Sequence, residues 1–389
     1  MLRPSRRTGD SRRYQPHRHH HSPTTRGGED SQISTLKMRI REVARTGSKT
    51  ELLALRNSDL YQECYEWGRR QAVAASQMVG GSQLSSARNA AAIHTICYAL
   101  DAYAGFVERY QPAPAGNMPH KQLSHSQLEQ AFLSQISPAH RNNLINQFHA
   151  TFHANNDERQ AALLSALDPQ LRAKLSASGV IRSGNTAKLP QLAGADVKQP
   201  GINEAELLAL LDYLSSATGT FNVVNGAAMA LSYYGETSLQ SCIHVFSMAL
   251  SSGINKLCEH PWFGRTDSVV YKGIRLSTLD EPFRIAMLNE AYQRKGLVSF
   301  PSVLSASCDP NNSYARTKLS EGYSIECMIT MRRGFYADPF HDTQTMGEHE
   351  ILGPAGQRFR VVDKDMIEIG NPEFGSRVEI ERYKMDPVN

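Results

Sequence analysis

Apolar residues recur at helical spacing through the first two thirds of the chain and change to short, strand-like runs near its end. Between 49 and 78, Leu52, Leu55, Leu60, Tyr61, Cys64 and Trp67 follow a three-to-four residue rhythm that places them on one side of a helix. Asn57-Ser58-Asp59 stands before an apolar run, and Ser58 or Asp59 suits an N-cap, whose oxygen accepts from the otherwise unpaired first backbone N–H groups. The rhythm returns over 83–110 and breaks at Gln111-Pro112-Ala113-Pro114-Ala115-Gly116, where Pro and Gly cannot continue it. Helices resume over 126–152 and 157–176. Residues 179–201 mix Ser, Gly, Pro and Lys without helical period, the composition of a linker. Past it, Leu207, Leu208, Leu210, Leu211 and Leu214 crowd one helix over 203–217, and another is predicted over 238–259.

After Trp262 the character changes. The segments 268–276, 323–331, 348–352, 358–362, 366–369 and 378–383 are short, rich in β-branched and aromatic residues, and separated by turn residues, which predicts strands. Helices first and strands afterwards specify an α+β chain with its helices grouped to one side. The expected organisation is a leader over 1–32, a helical region over 33–182, a linker over 183–202 and a C-terminal unit over 203–389. The helices of 33–182 carry no nameable chemistry and read as a packing module for a partner, a secretion chaperone among them.

Charge changes this picture at one end only. The net charge is +4 over 389 residues, and residues 1–28 hold seven Arg against the single acid Asp10. The remainder is nearly neutral, so no nucleic-acid platform is expected. The leader has no apolar core segment and too little to bury, which predicts disorder and argues against a signal peptide. His17-Arg18-His19-His20-His21 reads as part of a solvated basic tail rather than a metal site. Cys64, Cys97, Cys242, Cys258, Cys308 and Cys327 lie far apart without ligand spacing; reduced thiols and no metal are expected. No apolar run is read as a bilayer span.

The candidate chemistry gathers at Glu348-His349-Glu350. On a strand the two carboxylates share one face with His349 opposite. Gly353-Pro354-Ala355-Gly356 then reads as a turn that returns 358–362 as an antiparallel neighbour. Close carboxylates repel, so one can keep a raised pKa and act as base while the other stays ionised. An exposed strand with a solvated acidic face explains the same letters. Two earlier patches shift the balance: Val270-Tyr271-Lys272-Gly273-Ile274-Arg275, and Phe300-Pro301-Ser302-Val303-Leu304-Ser305-Ala306-Ser307.

In this order the three patches resemble the cholera-toxin-like, Arg-Ser-Glu class of mono-ADP-ribosyltransferases found among toxins and type III effectors. The resemblance covers about 203–387 and extends to the segment 333–340, placed like the family's target-recognition loop. It implies a fold of helices and two packed, mostly antiparallel sheets, NAD as substrate, and transfer to a host protein, with arginine the preferred acceptor. It implies catalytic roles for Glu350, Glu348 and Ser305, and NAD contacts from Gly273, Ser307, Phe300 and a cation on the first strand. That cation stays open between Lys272, which aligns with the family's arginine, and Arg275, whose fork suits phosphates better; the two face opposite sides of a regular strand. The polar leader resembles an uncleaved type III secretion signal, which implies delivery into a host cytoplasm. Lys272 and Ala306 depart from the family pattern and motivate the alternative of a degenerate fold that only binds a host protein.

Overall fold

The computed structural model describes residues 26–46, 49–77, 81–111, 123–181, 201–230, 238–275, 283–321, 323–342, 347–371 and 376–388. In these, thirteen α-helices and seven strands appear, and the chain is α+β. The helices are α1 Arg26–Thr46, α2 Lys49–Arg56, α3 Asp59–Gln77, α4 Gly81–Arg109, α5 His125–Gln135, α6 Pro138–Ala154, α7 Asp157–Ala166, α8 Pro169–Ala177, α9 Glu204–Leu214, α10 Thr220–Ala230, α11 Ser238–Cys258, α12 Phe283–Gln293 and α13 Tyr314–Thr317. The strands are β1 Gly264–Arg275, β2 Leu297–Phe300, β3 Leu304–Ser307, β4 Tyr323–Tyr336, β5 Glu350–Gly353, β6 Gln357–Asn371 and β7 Ser376–Pro387.

Local chemistry sets several of these boundaries. Ser124 with Gln127, and Asn203 with Glu206, form reciprocal capping boxes at α5 and α9, each satisfying two otherwise orphaned N–H groups. Ser137 and Asp168 cap α6 and α8, with Pro138 and Pro169 in the first turn, where a missing N–H costs nothing. Two expectations are corrected. The leader was expected to be disordered to 32, but α1 starts at Arg26, because Ile33, Leu36, Ile40 and Val43 give it an apolar face to bury. Residues 1–25 lie outside the described part. The second concerns the absence of a bilayer-length apolar run. Ser86–Arg109, within α4, passes on length and composition, yet it packs against α1, α2, α3 and α10, so it serves as a core helix here.

The linker expected over 183–202 is described only from residue 201, and Ile202 is fully buried, bridging Leu167. One continuous core joins both sides of it, from Ile33, Phe106, Phe148 and Phe152 to Leu207, Phe246, Phe335, Phe340 and Leu352. Every residue of α9 is buried. At its end Asp212, with no exposure, accepts from Tyr110 Oη at 2.7 Å and Thr220 Oγ1 at 3.0 Å, with His140 Nε2 at 3.3 Å. Burial alone would raise the Asp212 carboxyl; His140, Arg109 and Tyr110 outweigh it and hold it below its ordinary value.

The strands are linked in the order β1-β3-β5-β4-β7-β6-β2, with a further β1–β4 pairing. The two sheets expected thus share strands and join into one network. The long β4 is the hinge of this arrangement. It runs antiparallel to β1 along nearly its whole length, parallel to β7 over Ile325–Ile329, and meets β5 only at Phe335 and Tyr336. The hairpin expected between 348–352 and 358–362 is corrected. β5 pairs with β3 and β4, while β6 pairs with β2 and β7. The Gly353–Gly356 turn therefore carries the chain out of one pairing set into another.

Gly273 has a packing role that its expected NAD contact does not require. A Cβ on it would lie 2.5 Å from Ala315 N and 2.9 Å from Tyr314 Cβ, so α13 can approach β1 only over a glycine. The same contact brings Arg316 to Glu326, a fully buried carboxylate held bidentately at 2.9 and 3.1 Å. Gly273→Ala should therefore cost about 1–3 kcal/mol in urea unfolding through overpacking. An unchanged midpoint together with weakened NAD binding would return Gly273 to a ligand role.

Candidate active site

Where β3 and β5 run antiparallel, Ser307 stands opposite Glu350 and Ser305 opposite Leu352. Alternation puts both serines and Glu350 on one face. Ser305 reaches diagonally and donates its hydroxyl to Glu350 Oε1. Ser307 turns instead to the backbone, donating to Glu348 O at 3.1 Å and accepting from Asp309 N at 3.1 Å. One serine thus fixes the carboxylate and the other fixes the turn before it.

That turn corrects the expectation of a strand from 348. β5 begins at Glu350, and Gly347 and His349 have φ of 97° and 54°. His349 is in the left-handed region, at a cost of about 1–3 kcal/mol, offset because its N–H donates to Asp338 Oδ2 at 3.0 Å and its carbonyl accepts from Cys308 N at 2.9 Å. The kink, rather than strand alternation, sets the position of Glu348. Its carboxylate, that of Glu350 and a ring nitrogen of His341 all place an atom within 4.8 Å of one another.

His341 is the residue the sequence reading missed. It lies just beyond a 3-10 turn, Asp338–Phe340, with 2% of its surface exposed. Its Nε2 is 2.7 Å from Glu350 Oε2, so each Glu350 oxygen has its own partner. The same turn grips Glu350 by the backbone: Asp338 Oδ1 accepts from Glu350 N at 2.8 Å, and Ala337 N donates to Glu350 O at 2.9 Å. Asp338 is itself oriented by Tyr336 Oη at 2.9 Å. A single His in the loop approaching a Glu-x-Glu gives no periodic signal, and only the return of β4 into the turn brings it across.

The electrostatics separate the two glutamates. For Glu350, burial pushes the carboxyl up, but the hydrogen bond and charge of His341, then Ser305 and Lys272, hold it below its ordinary value. Burial pulls His341 down, yet Glu350, with Glu348 and Asp338 behind it, lifts it above its ordinary value. Both shifts favour the charged forms of the two partners over the neutral ones. Glu348 is raised by burial first and by the Glu350 charge second. The three donors are the closest approach to a metal cluster among the described residues, but both Glu350 oxygens are already hydrogen-bonded, which suits proton sharing better than metal ligation.

The expected NAD contacts divide. Lys272 reaches this corner: its Nζ donates to Ser305 O at 2.9 Å, and its charge bears on Glu350. Arg275 ends β1 with its backbone opposite Tyr323, and its side chain lies outside the described part. Phe300 ends β2, edge-on to Phe359 at 5.8 Å, beside the second core; its described contacts are with that core rather than with Glu350.

No family model and no curated protein matches the chain. Solved structures show partial likeness. The ADP-ribosyltransferase HopU1 of Pseudomonas syringae aligns over 60% of this chain and 97% of its own, at 18% identity and a TM-score of 0.39. The type III effector XopAI from Xanthomonas axonopodis aligns over 70% and 96%, at 16% identity and 0.34. Plx2a, an ADP-ribosyltransferase toxin from Paenibacillus larvae, aligns over 48% and 88%, at 12% and 0.34. At such scores the likeness carries no functional weight, and the chemistry stands on the side chains themselves.

Proposed function

We propose that the chain is an NAD-dependent mono-ADP-ribosyltransferase acting on a protein, with arginine the favoured acceptor. The observation that carries this reading is Glu350: a largely buried carboxylate kept ionised by His341 and Ser305, with a second carboxylate of raised pKa beside it. A fixed anion in a partly dry corner suits a reaction whose transition state develops positive charge on a sugar. Glu350 holds a hydroxyl of the nicotinamide ribose and stabilises the oxocarbenium-like sugar as the C–N bond breaks and nicotinamide leaves with the electron pair. The acceptor nitrogen then bonds to the anomeric carbon, and its proton passes to Glu348, whose raised pKa suits a base. A cation on β1 faces the NAD phosphates. The Arg-rich leader supports delivery as a bacterial effector into a host cell.

A second reading has one specific observation in its favour. Lys272 is hydrogen-bonded to Ser305 O, an engagement that tightens the corner and competes with phosphate binding, as in a fold that only binds a host protein. Nicotinamide release from NAD, measured with and without host lysate, separates the two. The transferase reading expects release, and a higher melting temperature with NAD. Arg275→Ala should weaken NAD binding more than Lys272→Ala if a guanidinium holds the phosphates; the reverse ranking gives that role to Lys272. Absence of both release and NAD stabilisation would leave the binding module as the function.

A further inference from the structure

The turn that grips Glu350 is itself held by the N-terminal helical region. Thr151, on α6 and with no exposed surface, donates its hydroxyl to His341 O at 2.9 Å. Asn155 caps the end of the same helix, and its Nδ2 donates to Pro339 O at 3.3 Å as well as to Thr151 O at 2.8 Å. Between these anchors Phe340 is fully buried against Phe263 and Phe335. The path is short: Thr151 and Asn155 fix the carbonyls of residues 341 and 339, and between them the turn presents Asp338 to two backbone N–H groups and His341 to the Glu350 carboxylate.

We infer that Thr151 and Asn155 are positioning residues for the reaction, so that the helical region completes the catalytic corner rather than serving only as a docking module. The inference rests on the transferase reading. Its physical ground is that a carboxylate displaced by a fraction of an ångström loses its alignment with the developing cation, and misplacements of about 1 Å can cost around 100-fold in rate. A loop in the place of a target-recognition segment would be free to move for its protein substrate. Here the end of that segment, Asp338–Phe340, and His341 after it are tied to a helix.

Thr151→Val keeps the shape and removes the donor, while Thr151→Ser keeps the donor. In the full-length protein, Thr151→Val should lower kcat for nicotinamide release about 10-fold or more, with KM for NAD within about two-fold, and Thr151→Ser should restore most of the loss. Amide exchange supplies a readout independent of turnover. The His349 and Glu350 N–H groups, bonded to Asp338, should exchange about 10-fold faster in Thr151→Val while the amides of β4, β6 and β7 do not change. If Thr151→Val does not fold, Asn155→Ala carries the same test at Pro339 O. Unchanged exchange and kcat in a folded variant, or a Thr151→Ser as impaired as Thr151→Val, overturns the inference. A wild-type chain without turnover overturns the transferase reading and the catalytic half of this one, while the exchange result still decides the anchoring.

Discussion

Glu350→Gln should lower nicotinamide release, both the slow hydrolysis by water and the transfer to protein, by about 100-fold or more. The substitution keeps the shape and the Ser305 contact but removes the charge that His341 is arranged to preserve. Glu348→Gln should behave differently, removing transfer while leaving much of the hydrolysis, because water needs less help from a base than a protonated acceptor does. The pH profiles follow from the same split. Glu348 titrates above its ordinary value, so as pH falls it gains its proton first and transfer is lost first. Glu350 titrates below its ordinary value, so hydrolysis persists further into acid than transfer does. In Glu348→Gln the residual activity should keep only the lower limb. Nicotinamide release followed across pH, with and without acceptor protein, checks both. Equal loss of hydrolysis in the two variants, or two coincident acid limbs, would sink the division of labour.

A chain begun at residue 201 should not fold. The core continues across the expected linker, and α9, buried on every side, packs against α5 and α6 as well as α11. Leu207, Leu208, Leu210 and Leu211 have no exposed surface. Each buried leucine contributes about 1.5–3 kcal/mol, so uncovering a few of them removes an amount comparable to the whole net stability of a domain, about 5–15 kcal/mol. Asp212 would lose Tyr110 and His140 at the same cut, the partners that with Arg109 hold its carboxyl below its ordinary value. Size-exclusion chromatography and a urea melt of the fragment test this. A monomeric fragment with a single cooperative transition would show instead that the C-terminal part is a separable unit.

Much of this architecture follows from local chemistry and was legible without coordinates. Apolar rhythm marks the stretches that hold α5 with α6, α7 with α8, and α9, without the breaks at residues 136–137 and 167–168 that the caps create, and the order of helices and strands gives the class. Ser305 and Glu350 were singled out together only through the resemblance, because the β3–β5 pairing that sets Ser305 against Glu350 is a long-range contact. Three things were not legible, each for a stated reason. The partner strands of β5 depend on β4 bending between two pairing sets, a long-range choice that no turn composition encodes. The position of Glu348 depends on a left-handed His349, which costs energy locally and is held by Asp338 and Cys308 from other segments. The joining of the helical region to the catalytic corner through Thr151, Asn155 and His341 depends on hydrogen bonds between residues about 190 apart in the chain. The sequence by itself determined the helical blocks, most of the long strands and the close spacing of Glu348 and Glu350, because propensity, capping and alternation act over a few residues. The tertiary structure alone decided which charge each carboxylate keeps, because burial and an imidazole from a distant turn are set only when the chain has closed on itself.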